Sequence, residues 1–281
     1  MSLFKKISKA INTNKIPKGL ILGSVYDLSE KVIKYGSNLQ IASTNECYLK
    51  KSTWGPITRG VMERLHESII TYHRAIVCLA QNGWALNTQP LLRTMIDLIV
   101  NCAVIVEGDC EMRSFRYLVF ELLKLDSTLE EKERSKKELK EQLYKYLNEF
   151  GRNKAEEYLN QQKRDFYWYS GIYRGPKEVL GKVAPTLLDA YEMGSSAVHG
   201  GQIGYKFFEK DRNLKDINPR KDHYSANLSI IFSTRYLLEF SLIRDNFEKL
   251  GLEHYYHKCL EELSGLRDLV ENTKSHRALC R

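Results

Sequence analysis

The sequence predicts an all-α, multi-helix bundle, and three features predict it. Proline occurs only six times in 281 residues, so few positions lack the amide proton and free φ that a helix needs. Long stretches carry neither glycine nor proline, which disfavours the turn-dense chain of a sandwich or barrel. Apolar residues recur at three- and four-residue steps, the period of a helix with one buried face. With 43% apolar and 28% charged residues, the composition is that of a globular chain.

Taken in order, residues 1–22 form a basic arm with Lys5, Lys6, Lys9, Lys15 and Lys18 and no acid in the first twenty positions. Leu3, Phe4, Ile7 and Ile11 share a helical face beside those lysines, a pattern suited to an anionic surface or to docking on the chain's own core. No apolar run follows that is long enough for a signal peptide, so a cytoplasmic location is expected. One helical domain is expected over 23–275, with a short tail at 276–281.

Val61, Leu65, Ile69, Tyr72, Ile76 and Leu79 line one face of a long helix ending near Gly83. Asn87 and Thr88 precede Pro90 as caps of a second helix that runs to about Glu107 and stops at Gly108. A third spans Glu111 to Leu125. From Leu129 to Arg164 the chain predicts a long charged helical segment, broken near Gly151, whose mixed acids and bases read as a solvated face. A helix from about Pro185 to His199 ends at Gly200 and Gly201, and two more, at about 223–249 and 252–273, complete the bundle.

Two stripes carry the candidate chemistry. Arg93, Asp97 and Asn101 stand four apart on an otherwise apolar helix, and burying such groups without partners costs several kcal/mol, roughly, so something polar must meet them. The same three residues argue against a membrane span over the apolar run from Leu91 to Val106. Tyr191, Ser195 and His199 are again four apart, with Ser196 on the same side. If the stripes face each other, Arg93, Asp97, Tyr191, Ser195 and His199 form one catalytic cluster.

That cluster fits two chemistries. As a metal-independent ribonuclease, His199 moves a proton at a ribose 2′-hydroxyl while Arg93 neutralises charge on the phosphate. As a hydrolase, Ser195 or Ser196 attacks with His199 as base and Asp97 orienting it, although a mid-helix serine lacks the strained elbow that presents a nucleophile. A structural reading stands beside both: an Arg-Asp pair holding helices in register, and His199 bonded near the last helical carbonyls.

Lys163, Arg164, Trp168 and Arg174 lie in the most aromatic stretch and are the candidate nucleic-acid contacts, by charge and base stacking. Such rings also anchor connections onto a core. A net charge of +8 is compatible with a polyanionic partner. No metal site or cofactor is predicted: His254, His257 and Glu261 have ligand-like spacing but nothing completes them, and neither a phosphate-binding loop nor a dinucleotide fingerprint occurs. The six cysteines contain no Cys-x-x-Cys pair and read as reduced thiols.

The run Leu91-Leu92-Arg93-Thr94-Met95-Ile96-Asp97, with Gly83 before it and Tyr117, Trp168 and Tyr191-x3-Ser195-x3-His199-Gly200 after it, resembles a bacterial family of unknown function over about residues 60–250. That family is similar to the HEPN-like helical superfamily and favours glutamate where this chain has Asp97. The resemblance implies a HEPN-like bundle, an RNA-directed role in phage defence or stress, and a homodimer with a protein partner or inhibitor. HEPN ribonucleases carry an arginine followed by four to six residues and a histidine; here Arg59 and His66 fit that spacing, without the usual polar residue after the arginine. The alternative is a non-catalytic helical module that binds a protein or small ligand through its buried polar cluster.

Overall fold

The computed structural model describes residues 22–44, 55–125, 168–169, 171–192 and 223–279, with scattered positions between 134 and 156. Among them it is all-helical, with no strand: α1 (Gly23–Thr44), α2 (Pro56–Gln81), α3 (Gln89–Val106), α4 (Cys110–Leu125), α5 (Pro176–Val183), α6 (His223–Glu248) and α7 (Glu253–Leu279). Short 3-10 turns at Ala85–Thr88 and Pro185–Leu187 lead into α3 and into a helical stretch at 188–192. Residues 1–21 of the basic arm, most of the charged segment and residues 280–281 lie outside the described residues, while 276–279, expected to be a tail, continue α7.

Helix α6 is the axis of the bundle and packs against α1, α2, α3 and α7, while α2 also meets α3 and α4. It is buried nearly all round, from Ala226, Ile230, Leu237, Leu238 and Phe240 at 0% exposure to Ser229, Ser233 and Ser241 at the same value. Serines survive there because each hydroxyl returns to a carbonyl of its own helix: Ser229 to Ser225 O at 2.8 Å, Ser233 to Ile230 O at 3.0 Å and Ser241 to Leu237 O at 2.8 Å. Their small side chains also let neighbouring helices approach the axis.

Helix α2 has no capping side chain of its own at its start. Glu111 of α4 takes that place, accepting the Thr58 amide at 3.1 Å, and a Cβ on Gly55 would collide with its carboxylate. Burial pushes the Glu111 carboxyl above its usual range. The helix closes at Gly83, whose φ of 82° is the left-handed conformation glycine adopts without strain. Thr88, expected to cap α3, instead turns its hydroxyl back to Ala85 O at 2.6 Å and toward Ser229 Oγ at 3.0 Å, so the 3-10 turn does the work of the cap.

Helix α3 is the one described helix long and apolar enough to cross a membrane. Ten of its residues, Leu92 to Ile105, are buried in this core, which accounts for its apolar character. Helix α5 packs directly on it, and Trp168 and Tyr191 reach its polar residues Asn101 and Arg93.

Candidate functional site

The polar face of α3 begins one turn after Pro90. Arg93 and Asp97, four apart, stand on one side of the helix, and Arg93 Nη1 donates to Asp97 Oδ1. The Arg93 side chain is 14% exposed and that of Asp97 45%, so the pair opens to solvent on its carboxylate side. Across from it, Pro185 starts the turn that delivers Tyr191, and the Arg93 guanidinium carbon sits 3.5 Å from the centre of the Tyr191 ring. Tyr191, the first residue of the second stripe, therefore meets the first stripe at Arg93.

This arrangement sets the guanidinium in one orientation. Tyr191, 6% exposed, takes one of its faces and Asp97 takes Nη1. Among the described residues Arg93 has no other hydrogen-bond or ion-pair partner, which leaves the Nε/Nη2 edge uncommitted. That edge is the planar fork that matches two oxygens of a phosphate or carboxylate.

Two turns further along α3, Asn101 Oδ1 accepts the Trp168 indole N–H at 2.8 Å. Trp168 is 3% exposed and packs edge-on against Tyr117, with centroids 5.7 Å apart, and against Tyr169 at 5.4 Å. Its ring is a core element that pins the chain to α3 and offers no open face for an unpaired base. Arg174 is exposed, and its backbone amide donates to Glu178 Oε2 at 2.8 Å at the start of α5. Ser195, Ser196, His199, Lys163 and Arg164 lie outside the described residues.

The Arg59 to His66 spacing does not make a site. His66 is 0% exposed, and its Nδ1 lies 2.5 Å from Nη1 of Arg244 on α6. His254 and His257 are exposed beside Tyr255 and Tyr256, and no group of three metal-ligating side chains occurs among the described residues.

Two buried polar centres went unseen in the sequence. Arg244, 1% exposed, gives Nε to Glu248 Oε1 at 2.6 Å, Nη2 to Ser43 Oγ at 2.6 Å and Nη1 to His66. A guanidinium only donates, so His66 Nδ1 is the acceptor and the ring proton sits on Nε2, which finds no partner. Gly36 of α1 lies against that nitrogen, and a Cβ there would come within 3.1 Å. Burial first, and the Arg244 charge second, hold His66 down to about 3.

One heptad along α2, His73 bridges Ser29 Oγ at Nε2 (2.8 Å) and Ser233 Oγ at Nδ1 (2.9 Å). Ser233 uses its proton on Ile230 O, so it accepts from His73 Nδ1–H, and Ser29 donates to Nε2. A serine bonded to an imidazole in this sense has the form of a nucleophile and its base. Ser29, His73 and Ser233 are all 0% exposed, however, so the trio ties α1, α2 and α6 together and meets no substrate. Its signal in the sequence is the pair of histidines seven apart on an apolar helical face.

No curated protein and no solved structure matches the chain significantly. The model of a family of unknown function, DUF5677, matches residues 60–217. That stretch covers more than half of the chain and holds α3, Arg93, Asp97, Trp168 and Tyr191 together with Ser195 and His199, and on it the chain belongs to the DUF5677 family.

Proposed function

We propose that this chain is an RNA-directed effector of bacterial defence or stress response, HEPN-like in fold, acting in the cytoplasm as a homodimer and cleaving RNA without a metal. The observation that carries the reading is the Arg93 guanidinium, held by Asp97 and Tyr191 with its Nε/Nη2 edge uncommitted among the described residues. A phosphodiester presents two non-bridging oxygens at the spacing of that fork.

In this reaction the ribose 2′-oxygen attacks the adjacent phosphorus, and the bond from phosphorus to the 5′-oxygen breaks. His199, two helical turns beyond Tyr191 by sequence spacing, takes the 2′-hydroxyl proton, and protonation of the leaving 5′-oxygen completes the step. Arg93 stabilises the charge that grows on the phosphate oxygens. Asp97 and Tyr191 keep Arg93 in place, and Ser195 lies between them and His199 in the stripe. Lys163, Arg164 and Arg174 supply charge for the approaching strand, while Trp168 serves the core.

A second reading is favoured by the pairing of charges at the cluster. Arg93 is matched by Asp97, and Lys177 by Glu192, the neighbour of Tyr191, at 2.6 Å. Paired charges of this kind suit a non-catalytic module that holds a protein or small ligand.

Inducible expression in bacteria separates the two. The wild type is expected to arrest growth and fragment total RNA, and soluble, folded Arg93→Ala and His199→Ala variants are expected to do neither. Intact RNA and normal growth in cells full of folded wild type would instead select the binding module.

A further inference from the structure

Helix α6 is enclosed by α7, α1, α2 and α3, and each of these packs on the next, but α3 and α7 make no comparable contact among the described residues. The axis of the bundle therefore reaches solvent on the side between those two. Ser229 meets Thr88 at the start of α3, and the Tyr256 hydroxyl of α7 stands against the Glu239 carboxylate. Between them Phe232, Arg235 and Glu239 follow at three- and four-residue steps along one face of α6, and each is only partly buried. Arg235 is withdrawn from water without being paired in return. Its side chain is 29% exposed, and its Nε is buried with no hydrogen-bond partner, since Glu239 Oε1 lies 3.6 Å away, an ion pair longer than a hydrogen bond. Burial pushes the Glu239 carboxyl up, which weakens it as a counter-charge. Nη1 and Nη2 are reached by solvent and make no hydrogen bond among the described residues.

We infer that this strip of α6 binds a small organic carboxylate with an apolar body, its two oxygens on Nη1 and Nη2 of Arg235 and its chain against the Phe232 ring. The end of a guanidinium is a planar pair of donors that matches the two oxygens of a carboxylate. A phosphate would leave its further oxygens against the ring, whereas a carboxylate has only two oxygens and a chain to place. Phe232 stands one helical turn before Arg235, roughly 5 Å along the axis, which a chain of about five carbons beyond the carboxyl covers. This ligand site is separate from Arg93 and does not depend on what that residue binds.

Ligand-observed NMR titration of the full chain at pH 7.5 with hexanoate, acetate and 1-hexanol tests this. The wild type is expected to bind hexanoate about tenfold more tightly than acetate, which lacks the chain, and about tenfold more tightly than hexanol, which lacks the charge; this comparison needs no variant. In Arg235→Lys, checked for an unchanged melting temperature, hexanoate should bind about tenfold more weakly, because lysine keeps the charge and loses the paired donors. In Phe232→Ala the advantage of hexanoate over acetate should shrink to within about threefold. Arg93→Lys should bind hexanoate as the wild type does. Hexanoate that binds the wild type no better than acetate or hexanol, or that binds Arg235→Lys with wild-type affinity, overturns the proposal. So does binding that is lost in folded Arg93→Lys, which would place the carboxylate on the other arginine.

Discussion

Replacing Arg244 by alanine is expected to lower the unfolding free energy by roughly 3–5 kcal/mol, seen in a thermal melt as a fall of about 10 °C. Three partners lose their donor at once: Glu248, His66 and Ser43, all buried. Glu248 Oε2 and His66 Nε2 already lack hydrogen bonds, so the cluster has no spare partners with which to reorganise. The Glu248 carboxyl is already raised by burial, and without the guanidinium it would be protonated rather than remain a bare buried charge. Replacing the whole cluster, as His66→Leu with Arg244→Met and Glu248→Leu, should recover much of the loss, because apolar groups of similar volume leave nothing unpaired. If the alanine variant melts with the wild type, Arg244 is not the tie between α1, α2 and α6 described above.

Acid should weaken the fold well before the carboxylates titrate. His66 and His73 are held neutral, both down to about 3, chiefly by burial and then by Arg244 and Arg74 respectively. In the unfolded chain each titrates near 6.5. Below that pH the unfolded chain therefore takes up protons that the folded chain refuses. The stabilisation from keeping both rings neutral is complete above 6.5, declines as pH falls and is gone once pH drops through about 3. Two such groups predict a loss of roughly 3 kcal/mol in urea denaturation between pH 7.5 and 5.5. Glu111, Glu239 and Glu248, raised by burial, act in the opposite sense, gaining protons in the folded state above the ordinary carboxyl range, and soften the decline nearer pH 4.5. His73→Leu should halve the slope between pH 7.5 and 5.5, and a flat profile in the wild type would contradict the two buried rings.

Much of this architecture is legible in the periodicity. The face of α2 follows from apolar spacing and the polar side of α3 from Arg93, Asp97 and Asn101, and their ends from Gly83, Pro90 and Gly108. The face of α1 is carried by Val25, Leu28, Val32, Tyr35 and Leu39, all buried and spaced as regularly as the face of α2. Helix α5 is harder to see, because it has eight residues and little periodicity to read, so its definition comes from packing on α3.

At the site, four-residue spacing was enough to place Arg93 and Asp97 together, and the apolar surroundings required a partner that proved to be Tyr191. Trp168 shows the limit of such reading. An aromatic cluster between basic residues looks the same whether its rings face solvent or the core, and only the bond from its indole N–H to Asn101 decides. Arg244 was hidden for a related reason: an arginine in a serine-rich helix gives no sign that its partners come from α1 and α2, 201 and 178 residues away.

The central claim is that Arg93, fixed by Asp97 and Tyr191, engages an RNA phosphate through its planar edge. The most direct test is the rate at which purified full chain cleaves an end-labelled single-stranded RNA, compared between the wild type and Arg93→Lys. Lysine keeps the charge and loses the fork, so the rate should fall by about 100-fold or more at an unchanged melting temperature. Equal rates for the two proteins, or RNA left whole by folded wild type, would contradict the account.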